Sequence, residues 1–208
     1  MNDSQIALLE RYRTLNRNAL KGQIVFAGSS LMEQFPIERF AAQDTLPFAV
    51  YNRGISGILT QELFEHIDVC ILDLAPQKLF INIGTNDFNV AETTVEMLTE
   101  RYARILDVVK ERLPACRLYM MAYYPVNAAM APEAAQQRMK IRTNHKLRLA
   151  NAALARLAEE KGACFLNVNA PIIDEQGNMK AEYCIDGIHM REEGYRALYP
   201  LLRPYLVE

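Results

Sequence analysis

The chain alternates between short, mainly apolar runs without polar alternation and longer stretches in which apolar residues recur every three or four positions. The short runs lie at 24–27, 48–51, 78–83, 117–121 and 165–168. Continuous apolar runs of this length are expected of strands covered on both faces, as in a parallel sheet. Residues 4–19 carry Ile6, Leu9, Tyr12 and Leu15 at three-residue steps, behind a capping candidate at Asp3 or Ser4. Residues 92–112 carry Val95, Leu98, Tyr102, Ile105 and Val109, with Pro114 closing the segment. The longest predicted helix spans 133–161, with Leu147, Ala150, Leu154, Leu157 and Ala158 apolar and Gly162 as its stop. A last helix is predicted over 192–206. Strands alternating with helices imply right-handed crossovers and a three-layer α/β domain. No repeat or linker interrupts the pattern, so 1–208 is expected to be one domain, with 1–20 a helix packed on it.

In such a sheet, ligands bind beyond the carboxyl ends of the strands. Four polar or glycine-rich segments fall there: Gly28-Ser29-Ser30-Leu31-Met32-Glu33, Asn52-Arg53-Gly54-Ile55-Ser56-Gly57, Gly84-Thr85-Asn86-Asp87 and, before the last helix, Asp186-Gly187-Ile188-His189. A serine hydroxyl is a poor nucleophile until a base takes its proton. His189 is the one histidine in a loop at this edge, and imidazole suits that task near neutral pH. One turn would bring the Asp186 carboxylate to the Nδ1 side of His189, to hold the tautomer and stabilise the imidazolium. The Ser30 and Gly54 backbone N–H groups and the Asn86 amide are candidate donors to an oxyanion. Taken singly, each segment also reads as a turn, a helix cap or a phosphate-cradling loop. Their convergence on one edge is what points to chemistry.

Composition narrows the choice. Lys and Arg number 23 against 25 acidic residues, a net charge of −2, so no basic surplus points to nucleic acid. No apolar run approaches the ~18–20 residues of a membrane span. The stretch MNDSQIALLERYRTLNRNAL is charged where a signal peptide has its apolar core. The expectation is therefore a soluble cytoplasmic protein. Cys70, Cys116, Cys164 and Cys184 form no C-x-x-C pair and are expected to be small buried hydrophobes. His66, His145 and His189 show no metal-ligand spacing, so no metal is expected, and His66 and His145 read as packing or surface residues in helical stretches.

Together the four segments resemble the SGNH hydrolase superfamily, the GDSL esterase/lipase family, over about 21–206. Ser30 matches its nucleophile, Gly54 and Asn86 its oxyanion donors, and Asp186 with His189 its Asp-x-x-His pair. The run from Asp186 to Tyr195 looks like the branch related to platelet-activating-factor acetylhydrolase. The first block departs from Gly-Asp-Ser-Leu, since Ser29 stands in place of the Asp. The resemblance implies a flavodoxin-like sheet of five parallel strands in order 2-1-3-4-5. It also implies cofactor-free hydrolysis of carboxylic esters through an acyl-enzyme on Ser30. Two other readings exist: a flavodoxin-like nucleotide- or flavin-binding module, which gives Asp186 and His189 no role, and a non-catalytic SGNH scaffold, motivated by Ser29.

The segment Tyr123-Tyr124-Pro125-Val126-Asn127 follows the fourth strand, where Tyr124 and Asn127 are candidates to orient an alcohol or acyl group, packing being an equal explanation. The loops near 122–132 and 169–187 are rich in polar or small residues, so short acyl groups are expected. A small-molecule ester is the expected partner. The sequence leaves the natural substrate open, and the oligomeric state too, a homodimer included.

Overall fold

In the computed structural model, which describes residues 1–208, five parallel strands carry the architecture. They are β1 (Ile24–Gly28), β2 (Val50–Gly54), β3 (Lys78–Asn82), β4 (Arg117–Met121) and β5 (Cys164–Leu166), in the order β2-β1-β3-β4-β5. This is the SGNH-type sheet that the resemblance implied. Strand side chains alternate between two separate cores: Val25, Ala27, Leu79, Ile81, Leu118 and Met120 enter one, while Ile24, Phe26, Phe80, Tyr119 and Met121 enter the other. The first core is covered by α1 (Asp3–Asn18), α4 (Thr60–Glu65), α5 (Ile67–Cys70), α6 (Val95–Arg112) and α8 (Asn144–Glu160). The second lies beneath α2 (Ser30–Glu33), α3 (Ile37–Gln43) and α9 (Glu192–Val207).

The second core is built around an aromatic ladder. Phe26, Phe80 and Tyr119 are in register on three neighbouring strands. Their rings stack at 4.7 and 4.5 Å between centroids, and Phe35 stacks on Tyr195 of α9 at 4.7 Å. The segments that carry Ser30 and His189 are thus packed on one apolar surface.

Several elements differ from the sequence pattern, each for a local reason. The helix predicted over 133–161 is interrupted. A 3-10 turn (Glu133–Ala135) leads into α7 (Gln136–Ile141), and α8 begins afresh at Asn144. Thr143 is extended, and its hydroxyl accepts the Lys146 N–H at 3.1 Å, so a cap replaces helix continuation. Strand β2 runs past its apolar stretch into Asn52 and Arg53, because an edge strand tolerates polar side chains. Arg53 is buried by stacking on Tyr12 and Tyr51 and by donating to Asn16 Oδ1 at 2.9 Å. The helices α2 to α5 are too short to show a period in sequence. Cys70 and Cys184 are buried as expected, but Cys116 is half-buried and Cys164 exposed. Cys164 opens the other edge strand, β5, and Cys116 lies in the turn before β4. No helix is long and apolar enough to cross a membrane.

Phe80, with no exposed surface and stacked on both sides, is the centre of the ladder. Phe80→Ala should lower the unfolding free energy by about 3–5 kcal/mol through lost burial and a residual cavity. Truncating the exposed Val90 to alanine should change it by no more than about 0.5 kcal/mol. Urea unfolding of both variants checks this pair.

Candidate active site

The parallel register aligns Gly28 with Gly54 on one side and Asn82 on the other. At Gly28 φ is +150°, and a Cβ there would lie 2.0 Å from the Asn82 carbonyl oxygen. Only glycine fits, and the chain turns at once. The Ser29 N–H donates to that same carbonyl at 3.3 Å, and the Ser29 carbonyl accepts from Met32 and Glu33 at 3.0 and 2.9 Å, which starts α2. Ser29 occupies the N-cap position, but its side chain makes no cap bond. Ser30 is left as the first helical residue, 8% exposed, at the end of the strand.

Residues 184–190 form the facing loop. An antiparallel bridge joins Cys184 to Met190, and the Ile185 N–H donates to the His189 carbonyl at 2.9 Å. Asp186 Oδ1 accepts the N–H groups of Ile188 and His189 at 3.1 and 2.8 Å. Its Oδ2 lies 2.7 Å from His189 Nδ1. On the far side of the ring, His189 Nε2 lies 3.0 Å from Ser30 Oγ. With the ring proton on Nδ1, facing the carboxylate, Nε2 is a free acceptor for the serine proton. Burial pushes the Asp186 carboxyl up. The hydrogen bonds from the His189 ring and from the His189 and Ile188 N–H groups outweigh that and hold it below its ordinary value. The two halves are tied directly, since the Tyr195 hydroxyl on α9 donates to the Leu31 carbonyl on α2 at 2.9 Å.

The candidate oxyanion donors are in different states. The Ser30 N–H is at the start of a helix, where no helical carbonyl reaches it. Asn86 donates one Nδ2 hydrogen to the Ile58 carbonyl at 3.1 Å, leaving the other available. The Gly54 N–H, expected as a free donor, instead donates to Asn52 Oδ1 at 2.9 Å. The close approach at Gly54 is made by protein, not only by a ligand: a Cβ there would lie 2.2 Å from the Glu33 nitrogen of α2.

Three residues that the sequence did not single out hold these loops. Asn52 also donates to the Phe35 carbonyl at 3.0 Å, clamping the end of α2 to β2. Asn82, fully buried, donates to the Met121 and Ala122 carbonyls at 3.3 and 3.0 Å. Asp87 accepts from the Thr60 N–H at 3.0 Å and from Arg101 at 3.1 Å, which anchors the turn beside Asn86. Asn52 and Asp87 lie inside the polar segments and Asn82 two residues before one, and that proximity was the only signal available. The sequence candidates Tyr124 and Asn127 are placed differently from Ser30 and His189. Tyr124, 2% exposed, packs in the second core against Tyr195. Asn127, 8% exposed, donates to the Met179 carbonyl at 2.7 Å, joining the two long loops. His66 lies at the junction of α4 and α5 and His145 in α8.

A serine, a histidine and an aspartate in hydrogen-bonded series at the carboxyl edge of a 2-1-3-4-5 sheet define a hydrolase-like site. The chain belongs to the GDSL-like lipase/acylhydrolase family, a family of ester-hydrolysing enzymes, whose pattern it matches over residues 29–197. It is similar, at 31% identity and a TM-score of 0.84, to a Streptococcus pneumonia protein assigned as a platelet activating factor, covering 97% of this chain and 92% of that one. At 14% identity and a TM-score of 0.67 it shares the fold of an acetylxylan esterase from Geobacillus stearothermophilus, covering 90% and 95% of the two chains. It is also 24% identical over 177 residues to an N-acylneuraminate cytidylyltransferase of Escherichia coli O18:K1:H7. That match takes in 84% of this chain but 38% of the relative.

Because the folded-state Asp186 carboxyl is held low, its ionised form adds stability that is present above the unfolded carboxyl pKa, about 3.9. That contribution is lost as the pH falls through the lower folded value. Wild type should therefore lose an increment of stability below about pH 4 that Asp186→Asn does not lose. Unfolding free energies measured from neutral to acidic pH test this, and superimposable acid limbs would contradict it.

Proposed function

We propose that this protein is a serine esterase that hydrolyses short-chain carboxylic esters through an acyl-enzyme on Ser30. The observation that carries the proposal is the continuous series from Ser30 Oγ through His189 to Asp186, at 3.0 and 2.7 Å. His189 Nε2 takes the serine proton as Oγ attacks the ester carbonyl, and the resulting imidazolium is stabilised by Asp186. The same nitrogen returns the proton to the leaving alcohol, then activates water to release the acid from Ser30. The oxyanion is received by the Ser30 N–H and the free Asn86 hydrogen. Gly54 joins as a third donor by exchanging Asn52 Oδ1 for the substrate oxygen. No step in this chemistry calls for a cofactor. The esterase activity in the name of the Geobacillus protein agrees with this reading. The cytidylyl transfer of the E. coli relative belongs to a protein of which this chain matches 38%, and it is not carried over.

Ser30→Ala should reduce kcat on a small acetate ester by about 10⁵–10⁶-fold and abolish labelling by a fluorophosphonate probe. A folded Ser30→Ala preparation that still hydrolyses esters at near the wild-type rate would falsify the mechanism.

Acyl length follows from the surroundings. The two long loops near the site, 122–132 and 169–187, carry polar or small residues such as Asn127, Ala128, Asp174, Glu175 and Gly177. A long acyl chain would gain ~0.8 kcal/mol per methylene only in an apolar channel. Acetate and other short p-nitrophenyl esters should therefore show higher kcat/KM than long-chain ones. A steady rise with chain length would reverse that assignment.

A further inference from the structure

One ionised side chain beside the candidate site has no structural partner. Arg142, at the break between α7 and α8, is 3% exposed, yet its Nε is fully buried without a hydrogen-bond acceptor. Its two Nη groups also have no protein acceptor, but they keep solvent contact, and no carboxylate pairs with it. The contrast with the other buried arginine is clear: Arg53 donates to Asn16 and Asn52 and stacks between two tyrosines. Burial of Arg142 draws its pKa down to about 10, so it remains a cation at neutral pH. Holding a largely buried cation whose Nε–H has no acceptor is unfavourable unless a ligand completes it.

Its position indicates which ligand. Helix α7 packs against the turn Asp87–Asn89, directly after Asn86. Two residues after Arg142, Asn144 bonds the Val126 N–H and carbonyl at 2.8 Å each, and the residue after Val126, Asn127, donates its N–H to the Gly187 carbonyl beside Asp186 at 2.8 Å. Arg142 therefore stands beside both loops that supply the proposed chemistry. It does not brace Asp186 directly, since no ion pair within 4.0 Å joins them and Asp186 bonds the Ile188 N–H and the His189 N–H and ring instead. A guanidinium presents two parallel N–H groups that match the oxygens of a carboxylate or phosphate.

Resting on the reading of Ser30 as an esterase nucleophile, we propose that the natural substrate carries an anionic group, carboxylate or phosphate, bound by Arg142. Since the acyl group is short, the anion belongs to the alcohol part. Arg142 is thus a specificity residue, and the enzyme deacylates hydroxy acids or hydroxyalkyl phosphates in preference to neutral alcohol esters.

The test uses acetate esters of hydroxycarboxylic acids and of hydroxyalkyl phosphates of increasing length, each beside its uncharged amide or neutral phosphotriester. Wild type should favour the charged member of at least one series by about 10- to 100-fold in kcat/KM, the range for charge-assisted hydrogen bonds. The series that shows the preference identifies the anion. Arg142→Gln should bring the ratio close to one, and Arg142→Lys should keep part of it. No preference in wild type, an undiminished ratio in Arg142→Gln, or an equal fall on both members of a pair would overturn the proposal. Binding of the free hydroxy acids and hydroxyalkyl phosphates to Ser30→Ala protein, by calorimetry, is read separately. Tighter binding than the uncharged forms supports the anion site even if Arg142→Gln fails to fold, and equal binding in both series overturns it. Absence of hydrolysis of every ester, with Ser30 unlabelled, instead counts against the esterase reading alone.

Discussion

The arrangement at the carboxyl edge of the sheet depends on how closely β1 approaches β3 at Gly28 and Asn82. The approach leaves no room for a side chain at Gly28, and it places the Asn82 carbonyl where the Ser29 N–H can reach it. The Asn82 side chain, fully buried, meanwhile bonds the two carbonyls at the end of β4. An amide NH2 group buried without such acceptors would be destabilising, so these bonds hold three strand ends in one geometry. The turn into α2, and with it the place of Ser30, follows from that row.

The histidine half of the site is positioned by a different kind of constraint. Asp186 closes a small loop on itself through two backbone N–H groups before it meets the His189 ring. The loop is then fixed to the core by Met190 and Tyr195. The Tyr195 hydroxyl reaches Leu31, next to Ser30 and 164 residues away in sequence. Ser30 and His189 therefore meet through buried packing and one hydrogen bond between helices, not through flexible loops. Proton transfer is sensitive to displacements of the order of ~1 Å, which such a scaffold resists.

What the sequence disclosed and what it hid divide along physical lines. Mainly apolar runs revealed the strands because both sheet faces are covered. The polar blocks at their ends revealed Ser30, Asn86, Asp186 and His189, which the structure brings to one edge. Edge strands were placed less well, since β2 admits Asn52 and Arg53 and β5 begins at the exposed Cys164. The supporting residues were hidden for another reason. Nothing local shows that Asn52, Asn82 or Asp87 will find its acceptors or donors on distant segments. The occupied Gly54 N–H is of the same kind: its partner is two residues away, but only the folded strand turns Asn52 Oδ1 towards it.

The interrupted helix is the most informative departure, because a locally favourable continuation is given up there. A helix running unbroken through Arg142 and Thr143 would satisfy the backbone without a cap. The cap at Thr143 instead turns Asn144 onto Val126, whose N–H and carbonyl it bonds at 2.8 Å each. Val126 precedes Asn127, whose N–H donates to the Gly187 carbonyl at 2.8 Å while its side chain holds Met179. Gly187 follows Asp186. The break thus transmits the position of α8, through two asparagines, to the loop that carries the aspartate and histidine. It also leaves Arg142 buried beside that loop. A departure from local helical preference that fixes the loop carrying Asp186 and His189 is the pattern expected where structure serves a site rather than its own stability.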